Sequence, residues 1–204
     1  MSRCALLSTG GDIFITSLVL KLWKERWENE IDRLYININN HSNVPTDVIS
    51  EFISSIIKDP KITLIWHPNG IGNGPPQVEL LKICNEELIL LLEDDGFIFT
   101  PGKVDEYFKK IESGETDILW SPRFSCGVEV GKVLGEKYQL DYTKYGDCGP
   151  NGWPNFLFCK REDLLKTDLN FGSYHFKKGQ YYPELNHTMS ENEYGDTFVW
   201  ACVQ

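Results

Sequence analysis

Nowhere in the chain does an apolar run reach the roughly 20 residues that cross a bilayer. Ile13 to Trp27 comes nearest, but it carries Lys21, Lys24, Glu25 and Arg26 and is apolar on one face only, as an amphipathic helix is. Basic clusters are missing too. With a formal net charge of −10 and no run of Lys or Arg, the chain lacks what a duplex binder needs to displace counterions. No nucleic-acid partner and no membrane span are therefore expected. An anionic substrate stays open to it if a cation or backbone N–H groups hold the charge. The six cysteines (Cys4, Cys84, Cys126, Cys148, Cys159, Cys202) are scattered, with no CxxC pair and no Cys/His cluster of zinc-ligand spacing. Free thiols in a reducing compartment are the plain reading; a Cys126–Cys148 bridge across a loop is the alternative. Arg3 to Gly11 is too short and too soon glycine-rich for a secretory leader, so a cytoplasmic location is expected. Repeats, low-complexity segments and linkers are lacking as well. A single domain is expected, since chains of this size bury about 70% of their unfolded surface. The end at Val203-Gln204, without a polar tail, suits a piece cut from something longer.

What is present alternates. Cys4 to Ser8, Arg33 to Asn39, Lys61 to His67 and Leu88 to Leu92 are short apolar or β-branched runs. Between them lie helical patterns over Ile13 to Trp27, Pro45 to Lys58 and Gln77 to Asn85. A β-α-β-α-β-α-β order predicts an α/β fold: a mostly parallel central sheet flanked by helices on both faces. Leu88 to Leu92 has no alternation, as a central strand covered on both faces requires. Ligands of such sheets sit beyond the carboxyl ends of the strands. The polar loops fall there: Thr9-Gly10-Gly11-Asp12, Asn39-Asn40, His67-Pro68-Asn69 and Glu93-Asp94-Asp95. The second half is less regular. Helices are predicted over Pro101 to Ser113 and from Arg161 to Lys166, and strands over Thr116 to Ser121 and Phe156 to Cys159. Phe124 to Cys148 reads as loops plus a hairpin. Ser190 to Trp200 reads as a helix, because Ser190 followed by Glu193 has the form of a capping box.

Glu93-Asp94-Asp95 is the strongest chemical feature. Three adjacent acids at the end of a buried strand repel one another unless a cation or hydrogen-bond donors compensate. Hard oxygen ligands at that density suit Mg²⁺ or Mn²⁺, which can bridge two phosphates and stabilise a departing diphosphate. An acidic strand exit without a ligand is the competing reading. The glycines of Ser8-Thr9-Gly10-Gly11-Asp12 let backbone approach a ligand, and the helix start behind them favours phosphate; a tight turn with Asp12 as its cap explains Asp12 equally well. Loop asparagines such as Asn39 and Asn40 offer a donor and an acceptor on one amide and also form turns.

An apolar strand running into an acidic triplet, as Leu88 to Asp95 does, resembles the "DxD" region of GT-A-fold glycosyltransferases. The resemblance implies one GT-A-like domain over 1–204, with 1–100 binding the nucleotide and 101–204 the acceptor. It implies transfer of a sugar from a nucleotide-sugar donor, UDP-linked by preference, to a glycan or glycoprotein. Asp95 would ligate Mn²⁺ (or Mg²⁺), Asp94 would assist at the metal or the sugar, and Glu93 would accept from the ribose hydroxyls. Thr9, Gly10, Asp12 and Asn39 would cup the nucleoside. Asn73 and Gln77 come from the Gly/Pro-rich segment that lies beside the donor in that family, although no Arg or Lys stands in it here. Trp153 and Asn151 fall in a Gly- and aromatic-rich acceptor loop, where Trp153 would stack on a sugar face; a core Trp is the other reading. Asp196 best fits the family's acid before a helix, the general base of inverting members, with Glu193 and Glu191 behind it. Helix N-termini also collect acids for dipole reasons alone. His187 would complete the metal shell, and His67 reads as a packed or solvent-facing histidine rather than a ligand. Small enzymes of this kind include virus-encoded ones acting on capsid sugars, for which the location would be the host cytoplasm. The alternatives are a sugar nucleotidyltransferase, which needs a basic residue that Thr9 to Thr16 lacks, and a non-catalytic nucleotide-sugar-binding module.

Overall fold

A computed structural model describes residues 1–40, 44–72, 74–123, 128–138, 151–195 and 200–201, the side chains of 122, 123, 138 and 151–154 excepted. The first half follows the expected alternation. Strands β1 (Arg3–Thr9), β2 (Arg33–Asn39), β3 (Ile62–His67) and β4 (Leu88–Glu93) are separated by helices α1 (Ile13–Leu22), α2 (Thr46–Ile56) and α3 (Gly74–Ile83). Then come α4 (Lys103–Glu112), β5 (Ile118–Arg123), α5 (Val128–Tyr138), β6 (Asn151–Lys160) and α6 (Arg161–Leu165). Four short strands follow: β7 (Tyr174–Phe176), β8 (Tyr181–Tyr182), β9 (His187–Thr188) and β10 (Glu193–Gly195). The main sheet has the order β3-β2-β1-β4-β6-β5. β3, β2, β1 and β4 run parallel; β6 runs antiparallel to both β4 and β5.

Both faces of the sheet are covered, which is why its central strands are apolar throughout. On one face Leu7, Ile36 and Leu90 pack with Val19 and Trp23 of α1's side, Ile49 of α2 and Phe108 of α4. On the other, Leu6, Ile89 and Leu157 pack with Leu80 and Leu81 of α3, Leu164 of α6 and Phe171. Arg3 ties β1 to α4, donating to Asp105 at 2.7 Å and Glu112 at 2.8 Å with its guanidinium over the Phe108 ring. Cys4, Cys84 and Cys159 are buried and free; Cys126 and Cys148 lie outside the described residues. No helix among the described residues is long and apolar enough to cross a membrane.

Three local readings change. The helix over Ile13 to Trp27 is α-helical only to Leu22 and continues as a π-helical turn over Trp23–Trp27 that buries both tryptophans. Val128 to Tyr138 is a helix rather than part of a loop-and-hairpin segment. Gly131 and Gly135 depress its helix propensity, yet Val130 and Leu134, four apart, bury against Phe176, Tyr182 and Trp200. The helix expected from Ser190 does not form. Glu193–Gly195 is β10, antiparallel to β7, and the carboxylate of Glu193 accepts the N–H groups of Glu129 at 2.7 Å and Val130 at 2.9 Å. The S-x-x-E signature thus holds a real helix cap, but the helix it caps is α5.

α3 begins earlier than expected, at Gly74, with Pro75 and Pro76 in its first turn, where a missing N–H costs nothing. A Cβ on Gly74 would run into the backbone of Phe171 and Gly172, with the Gly172 Cα 2.8 Å away. Gly74→Ala is therefore expected to lower stability by about 1–3 kcal/mol, several degrees in Tm at roughly 3 °C per kcal/mol. Thermal unfolding checks this; an unchanged Tm would mean the contact is not held.

Candidate functional site

The pairing register sets the site. Ser8 of β1 stands opposite Asn37 of β2 and Glu93 of β4, and Asn39 opposite His67 of β3. The polar ends of the parallel strands are thus level, and the loops after them meet at one edge. A cavity of about 300 Å³ opens there, lined by Ser8, Thr9, Gly10, Asn39, Glu93, Asp94 and Asp95. Six of these seven, all but Ser8, are residues singled out from the sequence as donor or metal groups.

The three acids differ in environment. Asp94 is half-buried and its Oδ2 accepts the Gly10 N–H at 2.8 Å, which locks the β1 loop to the β4 loop. Burial pushes its carboxyl up, against the pull of that hydrogen bond, and the neighbouring Asp95 adds to the rise. Asp95 is exposed, with Oδ1 accepting the Asn155 amide at 2.7 Å. Glu93 is half-buried, and its backbone N–H donates to Asn155 Oδ1 at 3.2 Å. Asp95 is therefore the carboxylate that the fold turns most fully toward solvent.

The glycine loop is held by its own side chains. Thr9 Oγ1 accepts the Gly11 N–H at 3.1 Å. Asp12 caps α1, accepting the Ile15 N–H at 3.0 Å. Gly11 has φ +87°, and a Cβ there would meet the Asn40 Cα at 3.0 Å, so glycine answers both demands. Asn39 lies at the cavity wall and pins the following loop: its Oδ1 accepts the Ile71 N–H at 2.7 Å and its amide donates to the Gly72 carbonyl at 2.7 Å. Asn40 bonds Val44 and Pro68 backbone in the same manner. Both asparagines are thus loop organisers, and Asn39 is also a wall residue.

Gln77 is fully buried in α3, and neither its amide nitrogen nor its oxygen has a partner among the described residues. His67 is paired with Glu79 at 2.6 Å, and the same Glu79 oxygen accepts the Asn37 amide. Of the two readings, that is the packed one. His187, on β9, bonds Glu129 of α5 at 2.6 Å. Glu191 pairs with Lys178 at 3.1 Å on the surface. Asn73 and Asp196 lie outside the described residues. Asn151 and Trp153 belong to β6 by backbone, and their side chains are outside the description. Among the described residues no three His, Cys, Asp or Glu side chains group closely enough to hold a metal by themselves.

Among the described carboxylates Glu129 is the most perturbed. Burial works against its charge, but hydrogen bonds from His187, Ser190 and the Glu191 N–H outweigh it and bring the carboxyl down to about 2. The sign follows: a carboxyl depressed on folding stabilises the fold above its unfolded value, and that contribution is lost as pH falls from about 4.5 to 2. Wild type should thus lose Tm steeply over that window, and Glu129→Gln should show a lower Tm at neutral pH with a flatter acid limb. Parallel acid limbs would contradict the assignment.

Asn155 and Gly96 are the site residues that sequence reasoning missed. They come together only through the antiparallel pairing of β6 with β4, which no local pattern announces.

The level strand ends, the glycine loop and the acidic exit of β4 define a GT-A-like fold. No protein-family model matches the chain, and no curated protein matches its sequence. Among solved structures it is similar to Staphylococcus aureus TarS 1–349, with a TM-score of 0.54 and 12% identity over 82% of this chain. The chain spans about half of that one, 49%. At such identity the likeness is one of fold. A mannosyltransferase from Pyrobaculum calidifontis, in complex with GDP-Man and Mn²⁺, gives a TM-score of 0.49 and 10% identity over 59% of this chain and 35% of its own. A 4-diphosphocytidyl-2C-methyl-D-erythritol synthase from Anaerococcus prevotii gives 0.46 and 13% over 80% and 71%. Both likenesses are looser than the first.

Proposed function

We propose that this chain is a metal-dependent glycosyltransferase that moves a sugar from a nucleotide-sugar, UDP-linked by preference, to a glycan or glycoprotein acceptor. One observation carries the reading: the exposed Asp95 carboxylate stands at the end of buried β4, in the wall of a cavity of about 300 Å³ shared with the glycine loop after β1. A hard cation of this kind is commonly held by one or two carboxylates plus substrate phosphates. Asp95 with Asp94 fits that donor set, and a closed cage of three protein ligands is not needed. An ion held there would neutralise charge on the departing diphosphate.

The chain's own groups would divide the remaining work. Thr9, Gly10 and Asn39 face the nucleoside from the cavity wall, with Glu93 toward the ribose. Asp12 holds the loop by capping α1, and Asn73 and Gln77 keep the donor-side roles that the family resemblance gives them. Trp153 and Asn151 receive the acceptor. The acceptor hydroxyl oxygen bonds to the anomeric carbon, the bond from that carbon to the diphosphate oxygen breaks, and the hydroxyl proton passes to Asp196, inverting the configuration. The engagements of Glu193 with α5 and of Glu191 with Lys178 support giving the base role to Asp196. The bond of His187 to Glu129 supports leaving it out of the metal set.

Calorimetric titration of UDP, with Mn²⁺ and then with chelator, tests this. Binding that depends on Mn²⁺ is expected. Absence of binding under both conditions would sink the reading.

A further inference from the structure

We propose that Asn155 is the positioning residue of the acidic site, fixing Asp95 in the orientation that receives the cation. The inference rests on the reading of Asp95 as a metal ligand and goes beyond it, to what aims that ligand.

β4 and β6 pair in register as far as Leu91 opposite Leu157. Two residues further along each strand stand Glu93 and Asn155, past the end of that backbone ladder. There the Asn155 side chain takes over: its Oδ1 accepts the Glu93 N–H at 3.2 Å while its amide donates to Asp95 Oδ1 at 2.7 Å. One planar group thus grips the triplet at both ends. An amide is suited to this, because it offers an acceptor and a donor on the same rigid plane. A carboxylate in its place would have no hydrogen to give Asp95 and would add a like charge.

The backbone of β6 is shaped to deliver that side chain. Against β5, Trp120 pairs with Leu157 and Pro122 with Gly152, so β6 bulges between residues 152 and 157. Phe156 within the bulge has φ +64°, a left-handed conformation that is a genuine outlier for a bulky side chain. Bulges re-aim side chains beside functional sites, and this one carries Asn155. The residue itself is 2% exposed, so its rotamer is held by packing. Gly96 completes the fit: a Cβ there would collide with Asn155 Oδ1 and come within 3.1 Å of the Glu93 carbonyl. Glycine is required by space, not by a left-handed backbone.

Groups that orient a metal ligand without touching the metal are typically worth 10–100-fold in metal affinity. Mn²⁺-dependent UDP affinity, read by calorimetry on the whole chain, is therefore expected to fall 10–100-fold in Asn155→Leu. Asn155→Asp keeps the acceptor for the Glu93 N–H and so guards against simple misfolding; it should lose Mn²⁺-dependent affinity to a similar degree while keeping a cooperative thermal transition. UDP affinity in chelator should be unchanged in both. The discriminating test is a double-mutant cycle: in an Asp95→Ala background, Asn155→Leu should have no further effect on UDP binding. Retention of wild-type Mn²⁺ dependence in both Asn155 variants, or a further tenfold loss in the Asp95→Ala background, would overturn the positioning role and leave Asn155 structural. A wild-type protein that shows no Mn²⁺-dependent UDP binding would instead overturn the donor-site reading, and Asn155's role with it.

Discussion

Replacing Asp95 by alanine is expected to weaken Mn²⁺-dependent UDP binding by about 100-fold or more, with the cooperative thermal transition kept and lowered by several degrees at most. The size follows from what each carboxylate of the triplet is already doing. Asp94 spends an oxygen on the Gly10 N–H and thereby ties two loops together, so its removal should cost structure as well as binding. Asp95 is exposed and accepts the Asn155 amide; removing it leaves one buried donor, worth about 1–3 kcal/mol at most. Binding of metal should therefore suffer far more than folding. Removal of an orienting partner alone costs 10–100-fold, and removal of the ligand itself should exceed that. Calorimetry with and without chelator, beside a melting curve, separates the two effects. Loss of Tm without loss of Mn²⁺ dependence would reassign Asp95 to the fold.

The second large effect concerns the base. Asp196→Asn should lower kcat by about 10²–10⁴-fold, the usual worth of a positioned general base, and leave donor affinity as it was. Glu193 provides the contrast, because its carboxylate takes the Glu129 and Val130 N–H groups at the start of α5. Glu193→Ala should cost about 0.5–2 kcal/mol of stability, as loss of a helix cap does, with kcat falling far less than in Asp196→Asn. Release of UDP from a UDP-sugar, measured beside thermal unfolding, gives both readings. The reverse pattern, with Glu193→Ala inactive and Asp196→Asn active, would move the base role to Glu193.

The parallel half of the sheet was legible because its determinants are local. Leu88 to Leu92 has no polar position to spare, and each parallel strand runs out into a polar loop, so strand ends and loops declare themselves together. The cavity residues Thr9, Gly10, Asn39 and Glu93 to Asp95 could be named for that reason. What was illegible depended on partners distant in sequence. Gly131 and Gly135 hid α5, whose apolar face is paid for by Phe176, Tyr182 and Trp200. Ser190 and Glu193 gave the sign of a helix start, but a side chain's spacing does not say which helix it caps. Asn155 looked like any loop asparagine until β6 turned back beside β4 and set it under Glu93 and Asp95.

The most direct test of the central claim is a crystal structure with UDP and Mn²⁺, with anomalous scattering used to locate the manganese. The expected result is a manganese peak shared by the Asp95 carboxylate and the diphosphate, in the cavity between the loops after β1 and β4. Nucleotide bound elsewhere, or manganese that leaves Asp95 uncoordinated, would contradict it.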